Sequence, residues 1–140
     1  MSSVLQTHAN GHVFEMALNR PEKKNAFNIA MLNALSEAYA ELERRDDLWV
    51  GFLYANGDDF TAGLDLAEVG PAVASGQQLF PDGGIDPLDL TGRRRTKPVV
   101  MVVQGWCLTI GIELMLASDV CVAASNTRFS QMEVKHKIIP

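Results

Sequence analysis

Two glutamates and two glycine-bearing loops carry the residue types and spacing in this sequence that could do chemistry. Glu113 lies in GWCLTIGIELMLASD, residues 105–119, within a helix-like apolar run of Leu108, Ile112, Leu114, Met115 and Leu116. A carboxylate in such surroundings is costly to ionise unless something meets it. Glu133 follows in RFSQMEVKHK, twenty residues further on. Two carboxylates sharing an apolar cleft can divide labour, one taking a proton and the other giving one. Spacing alone leaves alternatives open: a first-turn acid facing the helix dipole for Glu113, and a solvated loop position for Glu133. The loops are Phe60–Leu66 (FTAGLDL) and Gly105–Glu113, each after a strand-like run. At a strand-to-helix junction the first N–H groups of the helix have no partner within it and point outward. Two such ends aimed at one point would hold an oxygen that gains charge during reaction. Gly63 and Gly111 would let the backbone turn sharply and approach a ligand, although ordinary turn chemistry explains either loop taken singly.

The elements that must position these groups are readable from local pattern. VLQTHANGHVFEMALN is two strand-like runs around Asn10-Gly11, a strong hairpin signal. Asn28 can cap a helix over Ile29–Arg44 in which Leu32, Leu35, Tyr39 and Leu42 form one buried stripe. Glu37, Glu41 and Glu43 are expected to face water, and Arg44 and Arg45 to complement the dipole. Trp49–Asn56 and the runs KPVVMVVQG and DVCVAAS read as further strands, the second apolar enough to be covered on both faces. A helix is expected from Asp65, a loop rich in Gly, Pro and Asp after it, and a helical turn around Asp86 to Arg94. Strands alternating with helices imply an α/β fold with a largely parallel sheet, in which ligands bind where strands end.

With 140 residues, 47% of them hydrophobic and 21% charged, the chain is the size of one globular domain, residues 1–140. It has no apolar run long enough to span a bilayer, and MSSVLQTHANGH lacks the features of a secretory signal, so a cytoplasmic protein without a membrane partner is expected. A net charge of −5 argues against a nucleic-acid partner. Cys107 and Cys121 lack CxxC spacing and are expected to be reduced, buried thiols; no metal is expected. The chain stops at HKIIP with no helix to close the domain, which suggests a domain incomplete at its C-terminal end.

The segments LNRPEKKNAFN, FTAGLDL, KPVVMVVQGWCLTIGIELMLASD and FSQMEVKHKIIP, in that order and spacing, resemble the first half of the crotonase (enoyl-CoA hydratase/isomerase) superfamily. The resemblance implies a crotonase-like (ClpP/crotonase) spiral of ββα units, here its N-terminal part, assembled as a homotrimer or hexamer. It implies an acyl-CoA thioester as substrate and no further cofactor. By motif match, the backbone N–H groups of Leu64 and Ile110 form the oxyanion hole. Lys24, Ala26, Phe27 and Ala62 are implied as CoA contacts, with Gly63, Asp65, Leu66, Trp106 and Gly111 around the substrate. Lys23 and Lys24 would meet the CoA phosphates unless they are simply solvated. Glu113 and Glu133 fall on the positions of the two hydratase acids, which implies syn hydration of a trans-2-enoyl-CoA. Glu113 would activate water for the β-carbon, and Glu133 would exchange the proton at the α-carbon.

The match has departures. Thr109-Ile110-Gly111 replaces a glycine triplet, and side chains on Ile110 and Leu64 are expected to narrow the pocket. Met132 stands where proline often precedes the second glutamate, and His136 and Lys137 read as loop variation. The rivals are a dienoyl- or enoyl-CoA isomerase, whose acid would lie beyond Glu133, and a thioester-binding relative without chemistry.

Overall fold

Gly11, at φ +61, turns the chain at the first position of a two-residue loop. Leu5–Asn10 (β1) and Val13–Leu18 (β2) therefore pair antiparallel with Asn10 opposite Val13. A computed structural model of the protein describes residues 3–137; residues 138–140, the end of the last family-like segment, lie outside them. After a 3-10 turn at Pro21–Lys23, helix Ile29–Arg44 (α1) starts where expected, with the Asn28 side chain accepting from the Met31 amide at 2.9 Å. Its stripe of Leu32, Leu35, Tyr39 and Leu42 is buried.

The remaining elements repeat one unit. Val50–Ala55 (β3) precedes Leu66–Ala74 (α2). Val99–Val103 (β4), Trp106–Leu108 (β5) and Ile110–Leu116 (α3) form the next unit. Val120–Ala123 (β6), Arg128–Ser130 (β7) and Glu133–His136 (α4) form the last. The first strand of each unit adds in parallel to the main sheet, whose order is β1-β2-β3-β4-β6. The second strand joins a smaller layer in which β5 and β7 are parallel and Thr61, ahead of α2, bridges to Cys107 of β5. Each unit thus steps sideways by one strand in both layers and closes with a helix, which is the ββα spiral. The core lies between the main sheet and α1, around Phe14, Met16, Leu53, Val99 and Met101, and continues to Phe60, Cys107 and Leu114. Burial there pushes the Cys107 thiol up to about 12. No helix among the described residues is long and apolar enough to cross a membrane.

Several expectations are corrected. Asp86 to Arg94 is not a helical turn. The Asp86 carboxylate accepts from the amides of Leu88, Leu90 and Thr91, and Asp89 sits at φ +58, so a local side-chain cap wins over the helix ladder. Glu43 does not simply face water: it accepts from the Thr96 amide and hydroxyl, at 2.7 and 2.6 Å, tying α1 to the start of β4. The second face of β4 is only partly covered, since its buried residues alternate with half-buried Val100 and Val102. On β6, Val120 and Val122 are exposed. Leu108 belongs to β5, and the helix that follows is shorter than the apolar run suggests.

Candidate active site

The first junction is stitched into place by backbone bonds. Buried Asn25 donates through Nδ2 to the carbonyls of Asn56 and Asp59, at 2.8 and 2.9 Å, and accepts from the Arg20 amide at 2.7 Å. The Thr61 hydroxyl donates to the Asn25 carbonyl at 2.6 Å. The Thr61 amide donates to the Trp106 carbonyl, and the Leu108 amide to the Thr61 carbonyl, both at 3.0 Å. Further along, the amides of Ala62, Phe27 and Asp65 donate to Lys24, Gly63 and Phe27 carbonyls. The Leu64 amide, in the midst of this network, donates to no acceptor among the described residues.

The second junction is built around Thr109, which has φ +47 and ψ −105, a strained conformation for a β-branched residue. Its amide donates to the Ser130 carbonyl at 3.0 Å, and its carbonyl accepts from Ile112 and Glu113, which starts α3. The next amide, that of Ile110, also donates to no acceptor among the described residues. The two junctions touch where it matters. A Cβ on Gly63, itself at φ +103, would lie 2.5 Å from the Thr109 hydroxyl oxygen. The residues immediately before Leu64 and Ile110 are therefore in contact, and only glycine fits at position 63. Gly111 serves otherwise than expected. It is helical, and what requires glycine is space: a Cβ there would lie 2.8 Å from both Cys107 Sγ and Thr61 Cγ2.

Around this contact lie two adjoining hollows. One, of about 150 Å³, is lined by Ala62, Leu64, Leu66, Leu108, Thr109, Met132 and Glu133. The other, of about 480 Å³, shares Ala62, Leu108 and Met132 and adds Lys24, Trp106, Ser130 and Lys135. One oxygen of Glu133, Oε2, is buried with no hydrogen-bond partner among the described residues. Glu113 borders a separate hollow of about 340 Å³ with Leu88, Leu90, Arg94 and Leu116. The two acids nevertheless sense each other. Burial raises the Glu113 carboxyl above its ordinary value, and the negative charge of Glu133 raises it further.

Of the residues expected at the site, Leu64, Ala62, Leu66, Glu133, Lys24 and Trp106 line the adjoining hollows. Ile110 contributes no wall to them: its side chain is buried in the core, so the expected narrowing comes from Leu64 alone. The Phe27 side chain is buried too, leaving only its backbone near the first junction. Asp65 pairs with Arg20 at 3.1 Å, and the Ala26 carbonyl accepts from the same guanidinium at 2.8 Å. Gly63 and Gly111 are positions where close packing leaves no room for a side chain. Sequence reasoning missed the walls contributed by Leu108, Ser130 and Lys135, and Thr109 as the hub; a threonine in a glycine-like position was the available signal. Among the described residues no group of three or more His, Cys, Asp or Glu is placed to hold a metal ion.

The family description enoyl-CoA hydratase/isomerase matches residues 8–140. The chain belongs to the enoyl-CoA hydratase/isomerase family. Among its relatives is the mevalonyl-coenzyme A hydratase SIDH of Beauveria bassiana, 36% identical over 135 residues, which cover 91% of this chain and 48% of that protein. A carnitinyl-CoA dehydratase of Salmonella paratyphi B is 34% identical over 145 residues, covering 100% of this chain and 53% of that protein. The crystal structure of a probable enoyl-CoA hydratase/isomerase from Mycobacterium abscessus superposes with a TM-score of 0.92 at 43% identity, over 98% of this chain and 52% of that one. The chain thus has the crotonase fold of its family and spans about half the length of the relatives it matches.

Proposed function

We propose that this protein binds an acyl-CoA thioester and catalyses reversible syn hydration of a trans-2-enoyl-CoA. The observation that carries the reading is the pair of amides, Leu64 and Ile110, with no acceptor among the described residues, on loops that touch through Gly63 and Thr109. Such donors act on the transition state because the thioester oxygen gains charge only as the enolate forms. The acyl end occupies the smaller hollow beside Glu133, and the CoA portion leaves past Ala62, Trp106 and Lys24. Glu113 accepts a proton from water as the water oxygen bonds to the β-carbon. Glu133 passes a proton taken from solvent to the α-carbon, and Glu113 returns the proton it gained to solvent. The raised Glu113 carboxyl suits a base that works nearer neutrality. The thioester needs no further cofactor, and the assembly is a homotrimer or hexamer in the cytoplasm.

The test is the absorbance of the conjugated thioester in crotonyl-CoA. Its loss on adding protein, with 3-hydroxybutyryl-CoA as product, is the expected result; an unchanged band with acetoacetyl-CoA still bound leaves a binding protein. A second reading, an isomerase in which Glu113 takes no part, is favoured by the placement of Glu113 in a neighbouring hollow. A shifted double bond in a 3-enoyl-CoA, without hydration, would select it.

A further inference from the structure

Thr109 carries two costs that its structural role does not explain. A β-branched residue at φ +47 is strained. Its hydroxyl is also buried without a hydrogen-bond partner among the described residues, and a buried hydroxyl left unpaired destabilises the fold. The carbonyl of Gly63 already accepts from the Phe27 amide, and that of Thr109 from the amides of Ile112 and Glu113. Yet the oxygen lies directly over Gly63, the residue before Leu64, while Thr109 itself precedes Ile110. The hydroxyl thus lies against the residue before Leu64 and belongs to the residue before Ile110, the two positions whose amides have no acceptor among the described residues. Its residue lines the hollow shared by Leu64 and Glu133. A threonine O–H rotates freely about its C–O bond and can turn to whichever acceptor arrives.

We propose that the Thr109 hydroxyl is a third donor to the thioester oxygen, a side-chain supplement to the two backbone amides. This rests on the proposed thioester chemistry and adds one group to it. A third donor would oppose charge on the same oxygen as it develops, so its loss falls on kcat more than on KM. A merely steric threonine would leave both unchanged on replacement by valine, which keeps its shape.

The experiment uses purified protein, crotonyl-CoA for turnover and 4-dimethylaminocinnamoyl-CoA as a bound chromophore whose absorption moves to longer wavelength as its carbonyl is polarised. Thr109→Val is expected to lower kcat by about 10²-fold with KM within a few-fold, and to diminish the shift of the bound chromophore. Thr109→Ser, which keeps the hydroxyl, is expected to retain most of kcat and of the shift. If Thr109→Val turns over and shifts the chromophore like the parent, the third donor is refuted while the two-amide site stands. If Thr109→Ser is as impaired as Thr109→Val, the hydroxyl is not the operative group and the proposal falls. If the parent protein neither hydrates crotonyl-CoA nor shifts the chromophore, the thioester reading itself fails and takes this inference with it.

Discussion

At the scale of single residues, the two glutamates are not equivalent. Glu113 is penalised for its charge by burial and by Glu133, so its folded-state carboxyl lies above its unfolded value. For an acid shifted in that direction, the charged form weakens the fold. The loss develops as pH rises from the ordinary carboxylate value through the raised one and is complete above both. Glu113→Gln removes the charge and keeps the shape, so thermal melts at pH 7 should place the variant above the parent. The advantage should vanish in melts below pH 4, where both are neutral. The same variant, and Glu133→Gln, should each lose on the order of 10²-fold in turnover while binding acetoacetyl-CoA with little change. Turnover at parental rate in either variant would remove that acid from the mechanism.

At the scale of elements, the site is a contact between two loops, and it fails if they part. Gly63→Ala would place a Cβ against the Thr109 hydroxyl and impose a left-handed φ on alanine. A displacement of the donors by about 1 Å is enough to cost about 10²-fold in kcat, which steady-state kinetics would read directly. Asn25 does the corresponding work behind the first loop. Asn25→Ala leaves part-buried carbonyls of Asn56 and Asp59 without their donor, and denaturant unfolding should register a loss of about 2 kcal/mol. The elements themselves were legible where the signal is local: the Asn10-Gly11 hairpin, the Asn28-capped helix with its Leu32–Leu35–Tyr39–Leu42 stripe, and the β-branched run of β4. The three-residue strands β5 and β7 were not, because each is defined by pairing with a distant segment rather than by its own pattern. Asp86–Arg94 was misread because a carboxylate that caps nearby amides leaves no trace in hydrophobic periodicity. Likewise the junction glycines were legible as a pair, but position 109 was not legible as the place where the two junctions touch.

At the scale of the whole molecule, an acidic chain offers a polyanionic ligand a local exception. Lys24 and Lys135 line the larger hollow, and Arg128 stacks 5.3 Å over the Trp106 ring beside it. Affinity for acyl-CoA should therefore weaken with ionic strength, and Lys24→Glu should raise KM several-fold with kcat nearly unchanged. Exposed Leu116, Val120, Val122 and Phe129 are apolar surface of the kind an assembly covers. The claim on which the account turns is that the amides of Leu64 and Ile110 hold one carbonyl oxygen. Titrating acetoacetyl-CoA into nitrogen-15-labelled protein tests it directly. Both amide protons should move downfield together, along one saturation curve; a saturating ligand that leaves either amide where it was would contradict it.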